Sequence, residues 1–159
     1  NTTAIFQGDL VIPKTDGTVT RYVAGTTNAV VGVFNGCFYT DPTTQKPTWK
    51  NYYPASTNAS DIIAFVIDGP DTVYEINASG TVAVTGLFSN YDVTNVTGNT
   101  KTGISYVQLD SSSVNTTNTL PLMAIDISQD PTNSDASASN DNIVVRINNH
   151  FYKQNQTGL

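Results

Sequence analysis

The chain is poor in the residues that do chemistry. Its 159 residues include one cysteine, one histidine, one tryptophan and one methionine, and Glu75 is the only glutamate. With Cys37 alone, no intrachain disulfide can form, which excludes the small secreted scaffolds held together by cystine. Lysine and arginine total seven against thirteen acidic residues, giving a formal net charge of −6. The two arginines, Arg21 and Arg146, lie far apart in sequence. Phosphate-backbone binding needs clustered cations, so this balance argues against nucleic acid and against anionic membrane surfaces. No apolar run reaches the ~20 residues of a membrane-spanning helix. Charged residues make up only 13% of the chain, about half the usual share.

Threonine, asparagine and serine fill the gap, 53 of 159 residues, of which 24 are threonine. Threonine is β-branched and fits a pleated surface, while asparagine and serine favour turns by bonding their own backbone. Six N-x-[ST] sequons, at Asn1, Asn58, Asn77, Asn95, Asn115 and Asn155, are the number this composition yields by chance. The chain opens on Asn1 with no methionine, and a segment upstream is expected.

Short apolar stretches separated by turn residues recur along the whole length. Residues 4–13 read as a strand closing on Pro13, the Asp16–Gly17 pair as a hairpin turn, and residues 18–24 as the return strand. Residues 29–39, AVVGVFNGCFY, read as a buried strand whose Gly32 and Gly36 signal a bulge or a close backbone approach. Further strands are expected at 62–67, 72–77, 81–88, 91–96, 103–109, 120–127 and 142–153, with a polar loop and at most one helical turn at 111–119. Residues 128–142 carry no large apolar side chain and read as a solvent-exposed excursion, and the tail beyond Lys153 as frayed. The expectation is an all-β fold, one domain over 1–159, a β-sandwich or β-barrel of about nine to ten short strands with long polar loops.

Catalytic motifs are absent from the pattern. A serine–histidine–acid triad would have to use His150, which sits in a strand beside Phe151 without a G-x-S-x-G elbow. Cys37 lies in an apolar strand with no cation near it in sequence and reads as a buried, inert thiol. Most of the twelve aspartates fall in turns, and no pair is set apart for glycoside hydrolysis. In the stretch Asp126 to Asp141, Asp130, Asn133, Asp135 and Asp141 offer oxygen ligands to Ca²⁺, but the spacing is not that of an EF-hand, and a solvated Asx-rich loop is the simpler reading. The expectation is therefore no enzyme, no cofactor and no metal.

One segment differs. Residues 40–60 hold three of the seven prolines, the tryptophan and a tyrosine pair, too long for an ordinary hairpin loop and too proline-rich for the middle of a sheet. Tyr39, Trp49, Tyr52 and Tyr53 bracket it and form the candidate interface, because tyrosine and tryptophan are enriched where proteins meet. The alternative is a loop folded back on its own sheet.

Three stretches, GDLVIPKTDGTVTRYVAGTTNAVVGVFNGCFYTD at 8–41, PTWKNYYPASTNASDIIAFVIDGPDTVYEI at 47–76 and DNIVVRINNHFYK at 141–153, together resemble small capsid-associated virion proteins of marine tailed phages, such as those infecting cyanobacteria. The resemblance implies a decoration (cement) protein on the outer surface of the capsid, binding the major capsid protein, often as a homotrimer (a dimer being the other option). It brings no active-site residues. Two other readings stand beside it: a receptor-binding or fibre-tip module of the same virion, and a bacterial surface adhesin or carbohydrate-binding module.

Overall fold

The computed structural model describes residues 1–135 and 137–159; Ala136, inside the acidic stretch, lies outside the described residues. The fold is all-β, as expected, with eleven strands and two single 3₁₀ turns, at Val84–Gly86 and Ser111–Ser113, among the described residues. The strands are β1 (Ile5–Phe6), β2 (Leu10–Pro13), β3 (Val19–Arg21), β4 (Gly32–Thr40), β5 (Pro47–Lys50), β6 (Tyr52–Tyr53), β7 (Ile63–Ile67), β8 (Val73–Asn77), β9 (Asn90–Tyr91), β10 (Leu122–Ile127) and β11 (Asn142–Ile147). They form three sheets, none closed on itself.

The chain divides into two compact units. The first comprises Asn1–Tyr22, Val31–Asp68 and Val96–Val107 and contains β1 to β7. Its larger sheet runs β3-β2-β4-β5, with β7 paired to the other edge of β4; β1 and β6 form a two-stranded sheet. All these pairings are antiparallel. Ile5 of β1 and Tyr53 of β6 pack with Val11, Phe34, Cys37 and Tyr39 of the larger sheet, making a two-layer core. Beside this core, Asp9 is fully buried; its carboxylate accepts hydrogen bonds from the Phe6 amide (2.8 Å) and the Ser105 hydroxyl (2.6 Å), with the Arg21 Nε 3.5 Å away.

The second unit comprises Val23–Val30, Gly69–Asn95 and Gln108–Leu159, around the antiparallel sheet β8-β11-β10-β9. Along β11, Ile143, Val145 and Ile147 are buried and their neighbours half-buried, the period of two that a one-sided sheet demands. The terminal residues belong to this unit and are fastened to it. The Asn148 and Asn90 side-chain amides both donate to the Gln156 carbonyl at 2.9 Å, and the Leu159 amide donates to the Phe88 carbonyl at 3.0 Å. The tail is thus docked by hydrogen bonds to asparagine rather than frayed, because its anchors are backbone groups that carry no side-chain signal.

Other stretches depart from expectation: the strand expected at 4–13 divides into β1 and β2 in different sheets, and that expected at 91–96 is strand only at Asn90–Tyr91. Residues 81–88 alternate like a strand but bury only Val82; Val84–Gly86 coils into the 3₁₀ turn, and Phe88 takes a φ of 63°. The Tyr91 hydroxyl donates to the Gly86 carbonyl at 2.9 Å and fixes that bend. Residues 103–109 make only isolated bridges, at Ile104 and Leu109, and pass from one unit to the other. Residues 40–60 are not one long loop. Asp41 accepts hydrogen bonds from the amides of Thr43 and Thr44 and closes a turn, so Pro47–Lys50 returns as an edge strand along β4.

Candidate binding face

Strand β4 sets out the site. Antiparallel pairing with β7 slips by one residue between Phe34 and Gly36, a β-bulge at Asn35. Up to the bulge, Phe34 faces the core; beyond it, Cys37 and Tyr39 do, and Phe38 faces out. Without the extra residue, strict alternation would carry Phe38 inward and Cys37 and Tyr39 outward. Gly36 makes the bulge possible. Its φ of +126° is a conformation that side chains disfavour, and a Cβ there would meet the Trp49 ring at 2.6 Å and the Lys50 carbonyl at 2.9 Å.

The outward face of this sheet is apolar. Phe38 is register partner to Trp49 on one side and Ile63 on the other, and directly opposed residues share a face. Phe65 stands opposite Gly36 and Ile67 opposite Val33, continuing the same face along β7. The five side chains remain open to solvent: Ile63 58%, Trp49 51%, Phe65 44%, Ile67 42% and Phe38 40%. The Trp49 and Phe65 rings lie 5.0 Å apart at 60°, a tilted aromatic pair seated over the glycine of the bulge. An isolated exposed leucine or valine is ordinary, but here aromatic and branched aliphatic residues join across three strands into one apolar patch.

Behind the sheet lies a concavity of about 470 Å³ whose walls mix apolar residues, among them Ile5, Phe34 and Val66, with polar ones such as Asn1, Lys14 and Asp16. Burial pushes the Cys37 thiol up to about 11, so near neutral pH it stays protonated and is neither nucleophile nor soft ligand. The Tyr53 hydroxyl donates to the Asn1 carbonyl at 3.0 Å, and burial raises its pKa as well.

Of the four aromatic residues singled out in the sequence, only Trp49 stands on the exposed face. Tyr39 and Tyr53, at 2% and 6% exposure, are core residues, placed there by the parity that the bulge imposes and by the pairing of β6 with β1. Tyr52 is half-buried, its ring stacked on Phe6 at 5.6 Å and the Lys50 ammonium 5.7 Å from its centroid. The structure adds Phe38, Ile63, Phe65 and Ile67 to Trp49. In the sequence these look like core: the run Ile62–Ile67 is apolar at every position, the pattern of a strand buried on both faces. Only the lone aspartates bounding it, Asp61 and Asp68, hint at a surface position.

Several of the remaining polar groups are engaged in the fold. His150 is buried, and its Nδ1 accepts a hydrogen bond from the Tyr152 amide at 3.1 Å. Burial pushes Asp9 above the usual carboxylate range, against the pull of its hydrogen bonds and of Arg21. In the acidic stretch, the Asp130 carboxylate accepts from the amide and hydroxyl of Thr132, and that of Asp135 from those of Ser137; both are held below the usual range by those bonds. Among the described residues, no three histidine, cysteine or acidic side chains gather as a metal site would require. Comparison of the chain with family models, with curated proteins and with solved structures found no match.

Proposed function

We propose that the chain is a virion structural protein that binds the outer surface of a tailed-phage capsid and reinforces contacts between major capsid protein subunits. The observation that carries this reading is the exposed face of Phe38, Trp49, Ile63, Phe65 and Ile67, an aromatic-rich surface held on a paired sheet. Aromatic anchors immobilised by neighbouring strands lose little conformational freedom on binding, so more of their buried area becomes affinity. The resemblance of three long segments to phage capsid-associated proteins supplies the class of partner. A surface wetted by hydroxyls and amides and carrying few charges suits a particle component that must not bind the nucleic acid around it.

The mechanism is mass action. A ligand that binds only the assembled lattice stabilises that lattice by its binding free energy, and many identical sites multiply a modest contact by avidity. In this role Trp49 and Phe65 are the anchors that enter the capsid surface, and Phe38 and Ile63 complete the apolar patch around them.

Quantitative mass spectrometry of purified particles tests the assignment. Copy numbers equal to the major capsid protein, or a simple fraction of it such as about one third to one half, are expected of a shell protein bound at repeated lattice positions. A ratio of a few per cent would move the chain to the tail or fibre and favour receptor binding by the same aromatic face; absence from particles would overturn the virion reading altogether.

A further inference from the structure

Seventeen asparagines are spread along the chain, and only Asn35 is followed by glycine. Asparagine is thermolabile because the backbone nitrogen of the next residue can attack its side-chain carbonyl. A β-carbon on that next residue crowds the approach, so glycine leaves the path most open. Within a regular strand an asparagine is protected all the same, since ladder pairing holds the chain extended and occupies its amides. Asn35 lacks that protection. It is the extra residue of the β4 bulge, and among the described residues it is register partner to nothing in β2, β5 or β7. At a bulge the extra residue is left unpaired and the ladder is locally disrupted. Gly36 is held there by its φ of +126°, so the labile pair comes with the bulge. Asn35 is also exposed, and the Gln7 side-chain amide donates to its Oδ1 at 2.9 Å. Negative charge collects on that oxygen when the carbonyl is attacked, so the donor stabilises the addition.

We propose that Asn35 is a self-modification site: in the folded protein its side chain closes on the Gly36 nitrogen to a succinimide, which water opens to aspartate or isoaspartate. The step needs water alone. The Gly36 nitrogen gives up its proton and bonds to Asn35 Cγ, the Cγ–Nδ2 bond breaks, and the side-chain nitrogen departs with that proton as ammonia. Water then adds to one of the two ring carbonyls. Opening at Cγ leaves an ordinary peptide bond and an aspartate. Opening at the α-carbonyl routes the chain through Cβ and Cγ as isoaspartate, with one extra main-chain atom. Either product sets a new carboxylate at the bulge, and isoaspartate also lengthens β4 where the sides of the strand are exchanged. Trp49 is the only tryptophan and lies over Gly36, where a Cβ would stand 2.6 Å from its ring, so its emission is a local reporter. None of this depends on which partner covers the apolar face.

The full chain, incubated in mildly alkaline buffer at physiological temperature, tests the proposal by peptide mapping. Mass spectrometry reads the gain of about 1 Da, and backbone fragments distinguish isoaspartate from aspartate. Asn35 should convert at least about tenfold faster than Asn58 and Asn140, which are exposed outside the strands but precede alanine and aspartate. Its rate in the folded protein should lie within about tenfold of that in the same chain unfolded by guanidinium chloride. Slowing by more than about tenfold on folding would overturn the proposal, since the bulge would then protect as a regular strand does. Faster conversion at any other asparagine would overturn it too. Asn35→Gln keeps an amide at the exposed position but requires a larger ring. It should stay unmodified with constant Trp49 emission, while wild-type emission drifts in step with conversion. Constant emission through full conversion would overturn the link between this site and the bulge under Trp49.

Discussion

In the unit built on β8 to β11, asparagines lie inside; in the β4–β5–β7 sheet, aromatic residues lie outside. Asn90, Asn148 and Asn149 are at most 7% exposed, and each side-chain amide donates to two backbone carbonyls: Thr117 and Gln156, Asn118 and Gln156, Thr27 and Thr119. These residues satisfy loop and tail carbonyls that no strand reaches, and so substitute for absent secondary structure. Phe38, Trp49, Ile63, Phe65 and Ile67 have the opposite character, since folding leaves roughly half of each uncovered. Apolar residues exposed in the second unit, such as Val84 and Phe88, stand on turns and not as one row across paired strands. A polar group inside with two partners serves the fold; an apolar group outside on a paired sheet is what the proposed partner would cover.

That contrast can be broken at several places. The largest stability loss is expected for Gly36→Ala, which forces a side chain into a positive-φ conformation and against Trp49 and the Lys50 carbonyl. Strain of this kind costs about 1–3 kcal/mol, and the displaced ring adds to it, so a urea midpoint well below wild type is expected. It should also disturb the exposed face, because the bulge sets which residues point outward. Asn148→Ala should cost about 2 kcal/mol. It removes two donated bonds and the one Asn148 accepts from the Gln156 amide at 3.0 Å, and faster hydrogen exchange at residues 154–159 would locate the loss in the tail.

The pH dependence is smaller and has two parts of opposite sign. Asp16, Asp41, Asp61, Asp71, Asp130 and Asp135 are held below their ordinary 3.8 by hydrogen bonds from neighbouring residues. Below 3.8 the unfolded chain therefore binds more protons than the folded one, and stability is lost as pH falls through the folded values. Asp9, raised by burial, works the other way: its contribution is fully present at low pH and is lost as pH rises from 3.8 through its folded value. Denaturation midpoints should fall below about pH 4, and Asp9→Asn should remove any gain in stability seen as pH descends toward 3.8. On the apolar face, Trp49→Ser and Phe65→Ser should each cost about 1 kcal/mol, since about half of each side chain is covered and the tilted aromatic pair is lost.

The all-β class was legible from residue type alone, because threonine-rich stretches bounded by Asp-Gly, Gly-Pro and Asn-rich turns leave little else to form. Strands β2, β4, β7, β8, β10 and β11 fall where apolar runs announce them. The candidate interface was legible only at Trp49. Period-two reasoning assigns sides from a starting residue, and the bulge at Asn35 exchanged those sides midway along β4, taking Tyr39 inward and Phe38 outward. The exposed face of β7 was hidden for another reason. A strand buried on both faces and one that turns Val66 to the core while Ile63, Phe65 and Ile67 face out present the same unbroken apolar run, and only the structure tells them apart. The docked tail was hidden because its bonds run from asparagines to backbone carbonyls, and asparagine is too common here to stand out.

Capsid binding by the face variants tests the central claim most directly. Purified expanded heads lacking this protein would be titrated with the wild-type chain, with Trp49→Ser and with Phe65→Ser, and bound copies counted after sedimentation. The account expects wild type to saturate a fixed number of sites, and each variant, shown by its denaturation curve to be folded at the assay temperature, to bind at least about tenfold more weakly, the loss of an interface anchor worth some 1.4 kcal/mol or more. Equal binding by variants and wild type would contradict it, and would mean that the exposed aromatic face is not what holds this protein to the shell.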